Sequence, residues 1–236
     1  MKKWFIVIAL LHVLIFIILF NKQINLESSD SWELPLSGKI IVLDPGHGGP
    51  DGGAVGRGNV IEKDVTLNIS LKLRDYLQEA GAYVVMTRET DRDLADENIK
   101  GYSRRKTDDL YKRLAMINEP NRDLFISVHL NAIPSPKWRG AQTFYNPTND
   151  ESRNVSIFIQ DELRRNLGNT DRKAKSLTSV FILKEAKIPG AIVEVGFLSN
   201  PTEEELLKQS EYQTKVAASI YQGILRYFTN EEPPEE

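Results

Sequence analysis

Apolar and polar positions along most of this chain spell strand, helix, strand. KIIVLD, from Lys39 to Asp44, is a short apolar run that reads as a buried strand. VTLNISLKLRDYLQEAG then places Ile69, Leu73, Leu77 and Ala80 on one helical face and stops at Gly81. YVVMT predicts a second strand, and a polar stretch from Arg88 to Tyr102 leads into a helix ending near Asn118 with Leu110, Leu114 and Ile117 on one side. DLFISVHL and GAQTFY predict further strands, followed by a helix from about Glu151 to Leu167. FIL and AIVEV are two more candidate strands, and KVAASIYQGILRYF closes with Val216, Ile220, Ile224 and Phe228 on one face. Strands separated by helices predict right-handed crossovers, hence an α/β fold: a single three-layer domain over residues 39–229, its largely parallel twisted sheet covered by helices on both faces. There is no internal repeat.

The N-terminus departs from that pattern. After Lys2 and Lys3, the run from Trp4 to Phe20 is apolar apart from His12, roughly 25 Å long as a helix and at the short end of what crosses a bilayer. It is longer than the usual apolar core of a signal peptide, and no small-x-small cleavage site follows in FNKQINLESSD. Residues 1–21 are therefore expected to be a membrane anchor, with a cleaved signal segment as the alternative; the lysines would stay in the cytoplasm and the remaining chain would lie outside. Residues 22–38 read as a linker, and the acidic, proline-containing tail 230–236 as disordered.

Composition narrows the chemistry. The chain has 236 residues, 41% of them hydrophobic, enough for one well-buried domain. A formal net charge of −3 gives no general pull toward nucleic acid, which is not expected as a partner. With no cysteine at all, disulfides, thiolate metal sites and a cysteine nucleophile are excluded, so any metal must be held by histidine and carboxylate.

LDPGHGGPDGGAVG, Leu43 to Gly56, gathers six glycines around His47. It lacks the spacing of a phosphate-binding P-loop or a dinucleotide fingerprint, and reads better as a tight loop that lets backbone approach a ligand while His47 points into a crevice. His129 falls at the end of DLFISVHL, and ligands of open α/β sheets bind beyond the carboxyl ends of strands. Taken alone, a histidine is more often a hydrogen-bonded core or surface residue, and Glu62 would be a solvated helix N-terminal acid gaining from the macrodipole. Glu194 is harder to set aside, because a carboxylate inside GAIVEVGF must be paired, protonated or facing a ligand. All four side chains are expected to meet at one point, and two histidines with one carboxylate form the ligand set of several catalytic zinc sites.

DPGHGGPDGGAVG with Glu62 after it, SVHLNA, and PGAIVEVGFLSNP together resemble the zinc-dependent N-acetylmuramoyl-L-alanine amidases of type 3, over about Lys39 to Phe228. Within that family, GYSRR, HLNAIPSPKWRGAQTFY, IQDELRRNL and GILRYF are similar to the germination-specific, sporulation-linked branch. The resemblance implies one zinc ion held by His47, Glu62 and His129, with Glu194 as the catalytic proton carrier. It implies peptidoglycan as substrate, cut between N-acetylmuramic acid and the L-alanine of the stem peptide. It also implies spore cortex as the setting, a peptidoglycan deacetylase that carries the stripped glycan on to muramic-δ-lactam, and an extracytoplasmic location, anchored or secreted, at the developing spore membrane and cortex. Asp44, Asp51 and Asn131 are candidates to orient the imidazoles. Arg104, Arg105, Arg164, Arg165, Arg172, Lys173 and Lys175 are candidates to meet peptide carboxylates, although such clusters are usually solvated helix faces. Two other classes stay open: a zinc carboxypeptidase acting within the stem peptide, and a binding protein that kept the fold and lost catalysis.

Overall fold

The computed structural model describes residues 4–5, 11–17, 34–229 and 231–235. The chain divides into a short unit, Met1–Leu34, and a large one, Pro35–Glu236. Twelve elements of the large unit follow in order: β1 (Ile40–Pro45), α1 (Glu62–Glu79), β2 (Tyr83–Met86), α2 (Tyr102–Ile117), β3 (Leu124–Asn131), β4 (Gln142–Tyr145), α3 (Asp150–Leu167), β5 (Lys175–Ser176), α4 (Phe181–Glu185), β6 (Gly190–Phe197), α5 (Pro201–Leu207) and α6 (Ser210–Phe228).

The strands form one sheet in the order β2-β1-β3-β6-β4-β5. From β2 to β6 every neighbour is parallel; β4 runs antiparallel to β6 and carries β5 alongside it in parallel. The result is a mixed, mostly parallel α/β sheet with helices on both faces, as the alternation predicts.

Strand periodicity divides the two faces unequally. Leu124, Ile126, Val128 and Leu130 of β3, with Ile41 and Leu43 of β1 and Ala191, Val193 and Val195 of β6, join Ile69, Leu73, Leu77, Val155, Ile159, Val216, Ile220 and Ile224 in the large core. Burying each such aliphatic side chain is worth about 1.5–3 kcal/mol. Val42, Phe125 and Ile192 point the other way and form a much smaller cluster with Ile117, Ile182 and Leu183. Because side chains alternate along a strand, Asp44, Ser127, His129 and Glu194 belong to this second, more open face.

Several expectations change. FIL is not a strand: Phe181, Ile182 and Leu183 open α4, whose buried Ile182 and Leu183 pack on the small cluster. Three apolar residues are too few to distinguish strand from one helical turn. The buried face of α2 is Asp109, Arg113 and Ile117 rather than Leu110, Leu114 and Ile117. Leu36, expected in the linker, is fully buried, and its N–H donates to the Ala80 carbonyl at 2.9 Å.

The membrane partnership expected of the N-terminal run is corrected. Its described residues are helical at 4–5 and 11–17, positions 6–10 and 18–20 lie outside the described residues, and among the described residues no helix is long and apolar enough to cross a membrane. Most of the expected linker, residues 22–33, also lies outside the described residues.

Candidate metal centre

The glycine loop leaves β1 at Pro45 and brings His47 back over the open face with φ 63°, a left-handed conformation that a side chain adopts only when its surroundings enforce it. Two buried arginines supply the enforcement. Arg113 donates to the carbonyl of Pro45 at 2.8 Å and of His47 at 2.6 Å, and Arg88 donates to Pro45 at 3.0 Å and Gly46 at 2.9 Å. Arg113 also pairs with Asp44 at 2.7 Å and Asp109 at 2.8 Å. Burial works against the charge of Asp44, yet Arg113 and the hydroxyls of Ser127 and Thr87 outweigh it and hold its pKa at about 2.

The glycines leave room for the side chains that follow. A Cβ on Gly46 would stand 2.4 Å from the His129 ring, and one on Gly53, itself at φ 69°, would stand 2.5 Å from Glu62 Oε2. At these two positions imidazole and carboxylate occupy the space a side chain would need, while Gly48 and Gly49 make way for the backbone of Arg92 and Asp93.

Glu62 begins α1 and is buried. Its Oε1 accepts from the Leu130 N–H at 2.9 Å and its Oε2 from the Ala54 N–H at 2.8 Å. Oε1 lies 3.2 Å from His47 Nε2 and 3.0 Å from His129 Nδ1. Burial raises the Glu62 pKa, but the two imidazoles outweigh that and hold the carboxyl well below the usual range. Asp51 grips His47 Nδ1 at 2.9 Å, and is itself held by Lys106 Nζ at 3.0 Å and the Tyr102 hydroxyl at 2.8 Å. Against the effect of burial, Asp51 and Glu62 raise His47 to about 9.

One donor atom each from His47, Glu62 and His129 lies within 4.8 Å of the others, a grouping able to hold a metal ion. Donor atoms at about 2.05 Å from a tetrahedral zinc stand roughly 3.3 Å apart, and the two nearest separations here, 3.2 and 3.0 Å, already approach that spacing. Two nitrogens and one carboxylate oxygen match zinc chemistry, and the residues present fit that ion.

Glu194 completes the group. In the sheet register it stands directly opposite His129. Its Oε2 is shielded from solvent and has no hydrogen-bond partner among the described residues. Burial raises its pKa to about 7, a direction the Glu62 charge reinforces and the two imidazoles oppose. A pocket of about 170 Å³ opens beside His47 and His129, walled by Leu110, Phe181 and Ile192.

The four side chains expected to meet, His47, Glu62, His129 and Glu194, thus converge. Of the orienting candidates, Asp51 contacts an imidazole; Asp44 instead serves Arg113, Thr87 and Ser127. Asn131 gives its carbonyl to the Leu198 N–H, and no hydrogen bond joins its side chain to either imidazole among the described residues. Arg105 braces Asp93, and Arg165 pairs with Glu162. Sequence reasoning passed over Arg88, Arg113, Tyr102 and Lys106. The spacing of Asp109 and Arg113 was the available signal, but the same spacing marks countless solvated pairs.

Comparison with known proteins decides the lineage. The family described as N-acetylmuramoyl-L-alanine amidase matches residues 41–226. The chain belongs to this family. It is a zinc-type amidase that hydrolyses a C–N bond. The germination-specific N-acetylmuramoyl-L-alanine amidase of Bacillus subtilis is 59% identical to this amidase over 228 residues, 96% of each chain. The CwlD amidase of Clostridioides difficile, solved in complex with the GerS lipoprotein, superposes with a TM-score of 0.79 at 40% identity, covering 82% of this chain and all of that one. The catalytic domain of CwlV from Bacillus (Paenibacillus) polymyxa gives 0.71 at 29% identity, covering 82% of this chain and 99% of that one. The expected deacetylase partner finds no support in these likenesses and is not carried further.

Proposed function

We propose that this amidase cuts the amide between N-acetylmuramic acid and the L-alanine of the peptidoglycan stem peptide, and that its substrate is spore-cortex peptidoglycan, where the bared muramic acid becomes available for conversion to muramic-δ-lactam. The observation that carries the reading is the unpartnered Glu194 facing a His47–Glu62–His129 donor cluster across one strand pair. The likeness to a germination-specific amidase along 96% of both chains supports the cortex assignment. Peptidoglycan lies outside the cytoplasmic membrane, so the enzyme acts there.

In this reading His47, Glu62 and His129 hold one zinc ion. Bound zinc supplies a Lewis acid for the scissile carbonyl and a water of lowered pKa. Asp51 fixes the His47 ring through Nδ1, which leaves Nε2 as the donor facing Glu62. Glu194, whose buried position raises its affinity for a proton, accepts one and returns it to the departing L-alanine amine. The arginine-clamped loop keeps His47 and the carbonyls behind it from relaxing as the substrate enters.

Mass spectrometry of cortex fragments after digestion tests the bond. New N-terminal L-alanine is expected, whereas release of free D-alanine would identify a carboxypeptidase instead. Elemental analysis should find about one zinc per chain, and His47→Ala or His129→Ala should remove metal and turnover together. Glu62→Ala should lose activity through lost metal and recover part of it at high zinc. Full turnover by verified metal-free protein would end the zinc assignment.

A further inference from the structure

Three registered positions cross the open face of the sheet: His129 on β3 opposite Glu194 on β6, and Glu194 opposite Gln142 on β4. The row continues into Arg172, whose Nη1 donates to Gln142 Oε1 at 3.1 Å. Arg172 is thus joined to the row through the Gln142 side chain, on the strand one spacing, about 4.8 Å, beyond Glu194.

This arginine is held in place without being neutralised. Its Nε donates to the Arg139 carbonyl at 3.0 Å, and its guanidinium carbon lies 5.1 Å from the Phe197 ring centre and 5.6 Å from that of Trp138. Aromatic faces steady a cation but leave its in-plane donors free. Among the described residues no carboxylate comes within ion-pair distance of it, neighbouring Asp171 included. Glu203, which feels its charge, commits its oxygens to the N–H groups of Gly140 and Phe197 and to the Asn169 amide. Beyond the guanidinium lies an open cleft bordered by half-exposed Trp138. A planar cation fixed at Nε and Nη1, lining a cleft and with no partner for Nη2 among the described residues, suits capture of a carboxylate.

We propose that Arg172, held by Gln142, Phe197 and Trp138, is a carboxylate subsite for the stem peptide, placed one strand beyond Glu194. The inference rests on the amidase reading and adds to it a specificity element. An extended peptide advances about 3.5 Å per residue, so a stem peptide whose scissile amide lies at Glu194 needs only its first few residues to pass beyond β4, which is one strand spacing, about 4.8 Å, from β6.

The test uses the full chain loaded with zinc and two probes: an N-acetylmuramoyl tripeptide with free carboxylates, and the same compound with every carboxylate converted to carboxamide. Calorimetric affinity and kcat/KM are measured for both. Wild type should favour the carboxylate form by about tenfold or more, and Arg172→Gln should erase that preference by weakening the carboxylate form alone, with kcat for the carboxamide form and zinc content unchanged. Arg172→Lys, which keeps the charge and loses the planar fork, should retain part of the preference and guards against a mere folding defect. A wild type indifferent to the two probes, or an Arg172→Gln loss equal for both, would overturn the subsite. Failure of the amidase reading looks different: preference appears in the calorimetric arm, yet no new N-terminal L-alanine forms from either probe.

Discussion

His47 stands on irregular backbone at φ 63°, while His129 stands inside β3, where the ladder sets its place opposite Glu194. The loop side of the pocket is held by polar contacts reaching in from elsewhere: Arg88 and Arg113 on three consecutive carbonyls, Asp51 on the ring, Lys106 and Tyr102 on Asp51. The strand side is held by sheet hydrogen bonds and by the large core behind it. The first gives a conformation that alternating strand pattern cannot supply, at the expense of burying several charges. The second places side chains by register alone, and can therefore carry a carboxylate with no partner of its own.

Removing the Glu194 carboxylate on the strand side should act on chemistry alone, whereas loosening the clamp on the loop side should act on stability and metal. The largest expected effect is that of Glu194→Gln, nearly the same size: turnover should fall about 10²- to 10⁴-fold while zinc content and unfolding midpoint hold. Loss of zinc in that variant would make Glu194 a ligand and remove the contrast. Arg113→Met comes next, since it strands buried Asp44 and frees the His47 carbonyl; urea unfolding should register a loss of about 3–5 kcal/mol, with weaker zinc retention in parallel. Zinc affinity left intact would mean the loop does not need its clamp.

Acid provides a smaller and sharper probe. Asp44 has a folded pKa of about 2 against an ordinary 3.8, a depressed value, so its contribution is present above about pH 4 and disappears as pH falls toward 2. The shift corresponds to about 2 kcal/mol. The stability gap between wild type and Asp44→Asn should narrow by that amount between pH 5 and 2; a gap independent of pH would show that folding leaves the Asp44 pKa unshifted. Smallest should be Asn200→Ala, which touches neither side of the pocket and serves as the control for both. Asn200 Oδ1 accepts from the N–H groups of Thr202 and Glu203 at the start of α5, and its loss should cost about 1 kcal/mol with no change in zinc or kcat.

The same contrast explains what the amino-acid sequence disclosed. LFISVHL and AIVEV alternate so regularly that the large core, the open face and the positions of His129 and Glu194 all follow from a period of two. The loop announced itself through its glycines and His47. What holds the loop did not, because the bonds from Arg88 and Arg113 to its carbonyls span 42 to 68 residues, and nothing local separates these arginines from surface cations. The helix after β6 was legible in hindsight: Asn200 followed by Pro201 is a helix start, but LSNPTEEELL reads as a loop when only apolar periodicity is followed. β5, two exposed residues pairing with β4, left no signal.

Glu62 gives the molecule an order of events. Its carboxylate is fastened at one oxygen by Ala54, eight residues away, and at the other by Leu130, 68 residues away. The nearby bond can form while the chain is still largely open; the distant one has to await β3 settling beside β1. Contacts of such separation form late, because closing a long loop precedes any gain from it. The Glu62 carboxylate is therefore fully held only once β3 lies beside β1, so the geometry of the pocket depends on the sheet as well as on the glycine loop.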